Sequence, residues 1–510
     1  MSWTRRQWLQ YAGVATGSAL LSTACGGAPR AGRAAAEDVS GEEVRGWLRQ
    51  AAAEAAKRWG AVRGVALLHE HVAARVDVAG AASGAARLAE VALRARDARG
   101  RALEVRTLGL ERDAILQLPA RLAQLAGASA AAAPATAALP GGRSDGLWRQ
   151  DALARDPLAR APERLRQVTQ ELAERADRFG SSRVVYRGAG VDLDFTTAWY
   201  VDDAGVYEQQ LRRRRQAIAV VASTSTRPIG AEVAAGWARW RVREPSARAT
   251  DAASNAPDAP DAPDPLRAPS DDAIAGAVER VLRLTTPSPL RAGAYDVVLD
   301  PSVAETILRA LARALRAPAL RGAVKRWNAR RRVGRDGAWR LRSNVSAPGA
   351  YGGAPPGRGG APAADAVLLR DGVLVVPSRE PSDAGDELDG APAHLEVDAP
   401  RRPLADLLGE VAAGFSVEGG LDASVDLLED EFTARAQVAR ELARGTYSGR
   451  AFAQIELRGS LSALIDSIRG WSTEADHLSR RELRDGWPRF RSATIPWSLC
   501  RATLRQGAWP

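Results

Sequence analysis

Apolar residues alternate with polar ones in several stretches and recur at helical spacing in others, a mixture that predicts an α+β protein. The helical spacing is clearest over residues 301–315. The apolar face of this predicted helix comprises Ile307, Leu308, Leu311 and Leu315. A short β-branched run at 295–299 precedes it, Asp300 and the following proline end that run, and Ser302 is a suitable N-cap. The pattern therefore predicts a strand leading directly into an amphipathic helix.

The same helix carries a row of basic residues. Arg309, Arg313 and Arg316 are spaced at i, i+4 and i+7, so they share one helical face. Rows of like charge usually face solvent. We therefore expect a buried helix with a solvated basic side.

Two further units precede this helix. The first, 40–127, opens with a capping box of Ser40 and Glu43. Its predicted elements after this first helix are strands at 62–78, 89–95 and 102–107 and a helix at 110–125, whose pattern Pro119 breaks. A linker at 128–144 is rich in alanine and contains two prolines, which indicates irregular structure.

The middle unit, 145–290, begins with a predicted helix at 156–178. Its predicted strands are 183–187, 191–200 and 206–223, with a turn after Asp202. An insertion at 247–269 contains an Ala-Pro-Asp repeat, which favours disorder because such a composition cannot pack. The last unit, 291–510, contains the strand and helix described first, followed by alternating segments and a hairpin at 367–376.

The first 25 residues predict export. Arg5 and Arg6 stand in a Thr-Arg-Arg-Gln-Trp-Leu-Gln segment that fits the twin-arginine pattern, and a run of about fourteen uncharged residues follows, too short to span a bilayer. Cys25 ends a permissive lipoprotein box, so we expect it to be lipidated; the alternative is a simple cleavage site. Residues 26–39 are small or polar and fit a tether. The expected location is the periplasm or cell envelope.

Composition narrows the possible functions only slightly. The chain has 510 residues, 45% hydrophobic and 26% charged, with a net charge of +10. Its basic residues are scattered among acidic ones and are not interleaved with aromatics, so we do not expect nucleic-acid binding. The chain contains two cysteines, and lipidation of Cys25 would leave Cys500 without a partner for an internal disulfide.

One short motif suggests a metal site. His69 and His71 flank Glu70 in a predicted strand, where residues two apart face the same side. A site would need a third ligand, and His394 and His477 are distant in sequence. The simpler interpretation is an exposed polar strand face.

Residues 297–308, Val-Val-Leu-Asp-Pro-Ser-Val-Ala-Glu-Thr-Ile-Leu, resemble the strand and helix entry of the TldD/PmbA family, the "modulator of DNA gyrase" proteins. In zinc-bearing members of that family the helix continues as H-E-x-x-x-H. Placed on this sequence, the first His falls at Arg309, the Glu at Ala310 and the second His at Ala314. The family's third ligand, a cysteine near the C-terminus, falls at Pro488. The resemblance therefore implies no zinc site and no cofactor.

Other segments resemble the same family in order along the chain. They include the hairpin before the insertion, the loop at 348–353, and a Val-Glu-Gly motif at Val417 to Gly419. The resemblance spans roughly Ser40 to Ile468; the last forty residues match poorly. It implies an α+β fold with mixed N-terminal and middle α/β modules, antiparallel sheets and a C-terminal β-barrel-like domain.

Three functions remain open. The first is a non-catalytic PmbA-like subunit that pairs as a heterodimer with a zinc-bearing TldD-like peptidase to degrade or process peptides. The second is a stand-alone envelope lipoprotein that binds peptides or acts as a scaffold, with Arg309, Arg313 and Arg316 holding peptide carboxylates. The third is an active metallopeptidase with a metal site rebuilt from His69, His71 or His477. The absent ligands favour a catalytically inactive protein.

Overall fold

The structure is a computed structural model that describes residues 40–507 with internal gaps. The gaps are 60–61, 78–79, 97–101, 129–161, 180–183, 203–204, 224–227, 244–268, 284–287, 316–320, 331–338, 345–346, 348, 353–365, 376–393 and 485–486. The predictions for Arg5, Arg6, Cys25 and Arg316 lie outside the described residues. So do the tether and nearly all of the linker and of the Ala-Pro-Asp insertion.

The described residues form nine helices and seventeen strands. The helices are α1 (Gly41–Ala56), α2 (Arg112–Leu116), α3 (Leu118–Ala128), α4 (Pro162–Asp177), α5 (Asp271–Arg283), α6 (Pro301–Leu315), α7 (Arg321–Arg330), α8 (Leu404–Gly409) and α9 (Leu461–Asp466). The first six strands are β1 (Val62–Asp77), β2 (Gly80–Arg96), β3 (Ala102–Leu108), β4 (Val184–Asp202), β5 (Gly205–Ser223) and β6 (Pro228–Arg243). The remaining strands are β7 (Gly293–Leu299), β8 (Arg340–Ser343), β9 (Ala366–Arg370), β10 (Val373–Leu374), β11 (His394–Asp398), β12 (Arg401–Arg402), β13 (Ala413–Asp426), β14 (Glu431–Ala443), β15 (Thr446–Ser460), β16 (Gly470–Arg484) and β17 (Trp487–Gln506). None of the described helices is both long enough and apolar enough to cross a membrane.

Strands β1 to β6 form an antiparallel sheet, sheet A, in the order β3-β2-β1-β4-β5-β6. Its centre is the pairing of β1 with β4, which runs from Gly64 opposite Val201 to Val76 opposite Ala189. Apolar residues of α1, α2 and α3 pack on the β1 to β3 side, and those of α4 and α5 pack on β4 and β5. Sheet A thus combines strands from the predicted N-terminal and middle units.

The other eleven strands form a mixed sheet, sheet B. Strands β7, β13, β14, β15 and β17 pair in a closed circuit, because β7 pairs with both β13 and β17. Strand β17 also pairs with β11 and β16. The mixed α+β fold with antiparallel sheets is therefore confirmed, and the last forty residues, which carry the weakest resemblance, provide two long strands of sheet B.

Helix α6 packs against sheet B. Its apolar side chains belong to the largest buried cluster, together with residues of β13, β14 and β17. Every residue from Pro301 to Ala312 except Ser302 is buried. The predicted strand and helix are confirmed as β7 and α6.

Smaller predictions had mixed outcomes. The capping box of Ser40 and Glu43 is present at α1. The interruption predicted within the helix at 110–125 is confirmed, because the chain forms α2 and α3; the break lies at Gln117, and Pro119 lies in the first turn of α3. A proline lacks the N–H that a helix interior requires, but the first turn does not need it.

Candidate functional site

The N-terminus of α6 is held by carboxylate and hydroxyl oxygens. Asp300 Oδ1 accepts the N–H of Val303 at 2.8 Å, so Asp300 caps the helix and the prediction of Ser302 as N-cap is wrong. Ser302 Oγ instead accepts the N–H of Gly420 at 2.8 Å, and Asp300 Oδ2 accepts the N–H of Gly419 at 2.9 Å. The Glu-Gly-Gly segment of β13 is therefore hydrogen-bonded directly to the N-terminal residues of α6.

The helix positions that correspond to zinc ligands hold no metal-binding side chains. Arg309 is only 5% exposed; its Nε donates to Glu305 Oε1 and its Nη2 donates to the carbonyl oxygen of Ser492 at 3.0 Å. Ala310 is buried and Ala314 is half-buried. A guanidinium has no lone pair to give, and alanine has no donor atom. These residues do not fit a zinc ion.

Two further expectations concern the position of the third zinc ligand and the basic row of α6. Neither position provides what the expectation requires. Pro488 is the second residue of β17, and proline has no side-chain donor. Arg313 is exposed, whereas Arg309 is buried, so the predicted solvated row is divided. The reason is that β16 and β17 cover the first of the two positions.

Glu305 is the carboxylate shared by an arginine cluster, which we define as Arg309, Arg480 and Arg491. Glu305 is 1% exposed, and its Oε2 lies 3.5 Å from Arg480 Nη2. Arg480 and Arg491 are directly opposite each other on β16 and β17. Burial alone would raise the pKa of Glu305, but Arg309, Arg480 and Arg491 lower it below its usual value.

A histidine and a serine lie beside this cluster. His394 Nδ1 is 2.8 Å from Ser492 Oγ, which also accepts the N–H of Gly352 at 2.8 Å. Burial, with the positive charge of Arg309 and then His477, lowers the pKa of His394 to about 4. A neutral imidazole is therefore the form this site favours.

His69, Glu70 and His71 are buried, so the expectation of an exposed strand face is wrong. The reason is that this face of β1 is covered by sheet B, where the ring of His69 lies against Phe490 of β17, 5.6 Å between ring centroids. Asp194 Oδ1 lies 2.9 Å from His71 Nδ1 and 3.3 Å from His69 Nε2.

Arg481 of β16 completes this group by donating to Asp194 Oδ1 at 3.2 Å. Burial opposes ionisation of Asp194, yet Arg481 and His71 hold the pKa of that carboxyl well below its usual value. His477 lies elsewhere on β16 with Nδ1 3.0 Å from Thr494 Oγ1. Among the described residues, no group of three or more His, Cys, Asp or Glu is placed to hold a metal ion.

The loop at 349–352 joins the two sheets. Tyr351 is 1% exposed; its carbonyl oxygen accepts a hydrogen bond from Arg213 Nε at 3.0 Å, and its ring lies against the backbone of Gly236 on β6. The next residue, Gly352, binds Ser492 on β17. The loop that resembles a loop of the family is therefore hydrogen-bonded to residues of both sheets.

Sequence reasoning missed the residues that surround Arg309. Glu305 lies one helical turn before it, at the spacing of a helical ion pair, and this signal was available. The contributions of Arg480, Arg491 and Ser492 come from strands about 180 residues later, and no local pattern marks them.

Comparison with solved structures identifies the class of fold to which this protein is similar. The sequence matches no protein-family model and no curated protein. The fold is that of the TldD/PmbA class, whose solved members include proteins described as proposed modulators of DNA gyrase.

Three solved structures illustrate the likeness. A proposed modulator of DNA gyrase from Bacteroides thetaiotaomicron is 14% identical, with a TM-score of 0.63 over 92% of this chain and 100% of that one. A second, from Thermotoga maritima, is 14% identical, with a TM-score of 0.60 over 91% of this chain and 100% of that one. TldE from Thermococcus kodakarensis is 13% identical, with a TM-score of 0.59 over 89% of this chain and 98% of that one. The resemblance is thus confirmed as a shared fold, and the chemistry has to be argued from the residues.

Proposed function

We propose that this protein is a non-catalytic, PmbA-like subunit that pairs with a zinc-bearing TldD-like peptidase and contributes to the degradation or processing of peptides. The observation that carries the proposal is the buried pair of Arg309 and Glu305 at the place of the zinc-binding helix turn. A permanent cation there repels a divalent ion as well as failing to bind it. A protein that retains the fold without the metal chemistry is suited to shape a shared cavity.

Co-expression with a zinc-bearing TldD-like protein from the same organism tests the pairing. We expect the two chains to co-elute in size-exclusion chromatography and the pair to hydrolyse a peptide mixture that this chain alone leaves intact. Chelation of zinc should abolish hydrolysis without separating the pair. Separate elution of the two chains at micromolar concentration would contradict the proposal.

The location is a further part of the proposal. Export by the twin-arginine route would carry a folded chain, or an assembled pair, and a lipid on Cys25 would hold it at the membrane. We expect Arg5→Lys with Arg6→Lys to retain the protein in the cytoplasm. Cys25→Ala should remove labelling by radioactive palmitate while leaving export intact; palmitate labelling of the Cys25→Ala variant would contradict the assignment of the lipid.

A second candidate is a stand-alone envelope protein that binds peptides. The partly exposed Arg480 beside Arg309 favours it, because guanidinium groups bind carboxylates in a bidentate manner. A protein that binds peptides with full affinity in the absence of any TldD-like chain would support this candidate over the first.

A further inference from the structure

The described elements form two modules, and each module has its own apolar core. Module A comprises sheet A with α1 to α5, and module B comprises sheet B with α6 to α9. Each buried apolar cluster of the described residues lies wholly within one of the two modules. Along the described elements, the chain passes from module A to module B once, between α5 and β7. Apolar packing therefore stabilises each module separately and contributes little to holding the two together.

The contacts between the modules are mainly charged or polar. Arg481 of β16 donates at 3.2 Å to Asp194 of β4, which is fully buried. An interface between modules permits relative motion unless it is large and hydrophobic. Further contacts across this interface join Arg215 to the carbonyl oxygen of Ser479, Arg213 to that of Tyr351, Arg280 to Asp300, Arg440 to Glu279, and the ring of Phe490 to His69 and Arg213.

The closed interface also buries polar atoms that gain no partner. They are Oδ2 of Asp194, Nη2 of Arg481, the hydroxyl of Tyr351 and Oγ of Ser479, none of which has a hydrogen-bond partner among the described residues. Such atoms lose hydration when the modules are in contact and regain it in an open form. The closed and open forms therefore lie closer in free energy than a fully hydrogen-bonded interface would allow.

We propose that modules A and B separate reversibly at this interface while each core stays folded, and that the ion pair of Arg481 with Asp194 holds the closed form. Openings of this kind need less free energy than global unfolding. Polar contacts require accurate geometry, so they are either made or broken, which favours two discrete arrangements over gradual sliding. Opening exposes the face of sheet A that carries His69 and His71. The inference concerns this chain alone and does not depend on pairing with a peptidase.

Labelling of cysteine thiols in the full-length protein tests this motion. Cys25→Ala removes one of the two native thiols, and Cys500, which is fully buried in the core of module B, reports unfolding of that core. Ser479→Cys adds a thiol at the interface, and Thr169→Cys, in a separate variant, adds one at a fully buried position of α4 in module A. We expect a maleimide to react with the interface thiol at least about tenfold faster than with either core thiol, because local opening is more frequent than unfolding. Peptide mass spectrometry measures the rate at each thiol.

A variant of Asp194 tests the ion pair. Asp194→Asn deprives Arg481 of its partner in the closed form, where an unpaired buried charge is costly, so the interface thiol should react at least about tenfold faster than before. The rate at Cys500 should stay unchanged. Asp422→Asn, which removes an exposed ion pair with Arg435 inside module B, is the matched control and should leave both rates unchanged.

Two results would overturn the proposal. Equal rates at the interface thiol and at a core thiol would show that the interface opens only with unfolding. An unchanged rate at the interface thiol in Asp194→Asn would remove the role of the ion pair. The first comparison needs no change at Asp194, so it remains decisive if that variant does not fold. Failure to pair with a TldD-like protein would leave these rates unaffected, so this inference and the proposed function fail separately.

Discussion

The Arg309 guanidinium lies in the interior, where it satisfies Glu305 on its own helix and a carbonyl oxygen on β17. Burial of two charges costs several kcal/mol, which their attraction and hydrogen bonds must offset. The pair therefore contributes little net stability as a unit, but either charge left alone is strongly unfavourable. At the scale of the residue, a buried ion pair therefore occupies the position at which a metal site would have its ligands.

Replacement of Arg309 tests whether the buried charges of Arg309 and Glu305 depend on each other. We expect Arg309→Met to lower the free energy of unfolding by about 3–5 kcal/mol, because Glu305 loses its main partner inside the protein. Glu305→Met combined with Arg309→Met should recover most of this loss. Urea denaturation at neutral pH measures both, with Arg313→Met as an exposed control expected to stay within about 0.5 kcal/mol of the parent. A double variant as unstable as the single one would contradict the account.

His394 makes the stability of the folded protein depend on pH. Its pKa is about 4 in the folded protein against 6.5 for an ordinary histidine. Between these two pKa values the unfolded chain binds more protons at this histidine than the folded chain does. The free energy of unfolding therefore falls as the pH decreases from 6.5 towards 4. The free energy of unfolding changes by about 3 kcal/mol between pH 6.5 and 4, at about 1.4 kcal/mol per pKa unit.

Denaturation midpoints between pH 4.5 and 7 test this expectation. We expect His394→Gln to have a flatter pH profile than the parent, since the amide can still bond Ser492 but cannot titrate. His477→Gln should make the profile slightly less steep, because the charge of His477 helps to lower the pKa of His394. A His394→Gln profile as steep as the parent's would show that other groups cause the slope.

At the scale of the element, the junction of α6 with β13 depends on two glycines. Gly419 has a φ of +75°, which side chains disfavour. A Cβ at Gly420 would lie 2.3 Å from the carbonyl oxygen of Ser302, so the strand can approach the helix entry only without a side chain. The close approach allows both backbone N–H groups to bond Asp300 and Ser302.

A methyl group at this junction should be costly. We expect Gly420→Ala to destabilise the protein by about 1–3 kcal/mol, because backbone must move to accommodate it. Gly276→Ala on α5 is the matched control: no atom lies within 4 Å of the added Cβ, so alanine should stabilise that helix by about 0.8–1.0 kcal/mol. Thermal melting of the two variants compares them directly. Equal melting temperatures would contradict the proposed role of the close approach.

Elements were predictable where the signal is local. The β-branched run and the spaced leucines identify β7 and α6, and Asp371 with Gly372 identifies the turn between β9 and β10. The burial of His71 was not predictable, because its partner Asp194 is 123 residues away in sequence. The one available signal was the spacing of Asp192 and Asp194 by two residues within an apolar strand, which places both on one face.

At the scale of the whole molecule, buried polar contacts connect the two sheets. Arg481 of sheet B binds Asp194 of sheet A, and Arg215 of sheet A donates to the carbonyl oxygen of Ser479 at 3.2 Å. The loop containing Tyr351 adds contacts to both. Such polar contacts need accurate geometry, so they fix the relation of the sheets more strictly than apolar packing would. Helix α6 packs against strands of sheet B, which place Arg480 and Arg491 near its Glu305.

The metal content of the protein tests the central claim most directly. The full-length chain should be purified alone, without chelators, and its zinc measured by elemental analysis. We expect far less than one zinc per chain, because Arg309, Ala310 and Ala314 provide no ligand. Zinc at about one per chain, the content of a specific site, would contradict this account. Its loss in the His69→Ala, His71→Ala double variant would then identify a rebuilt metal site and an enzyme.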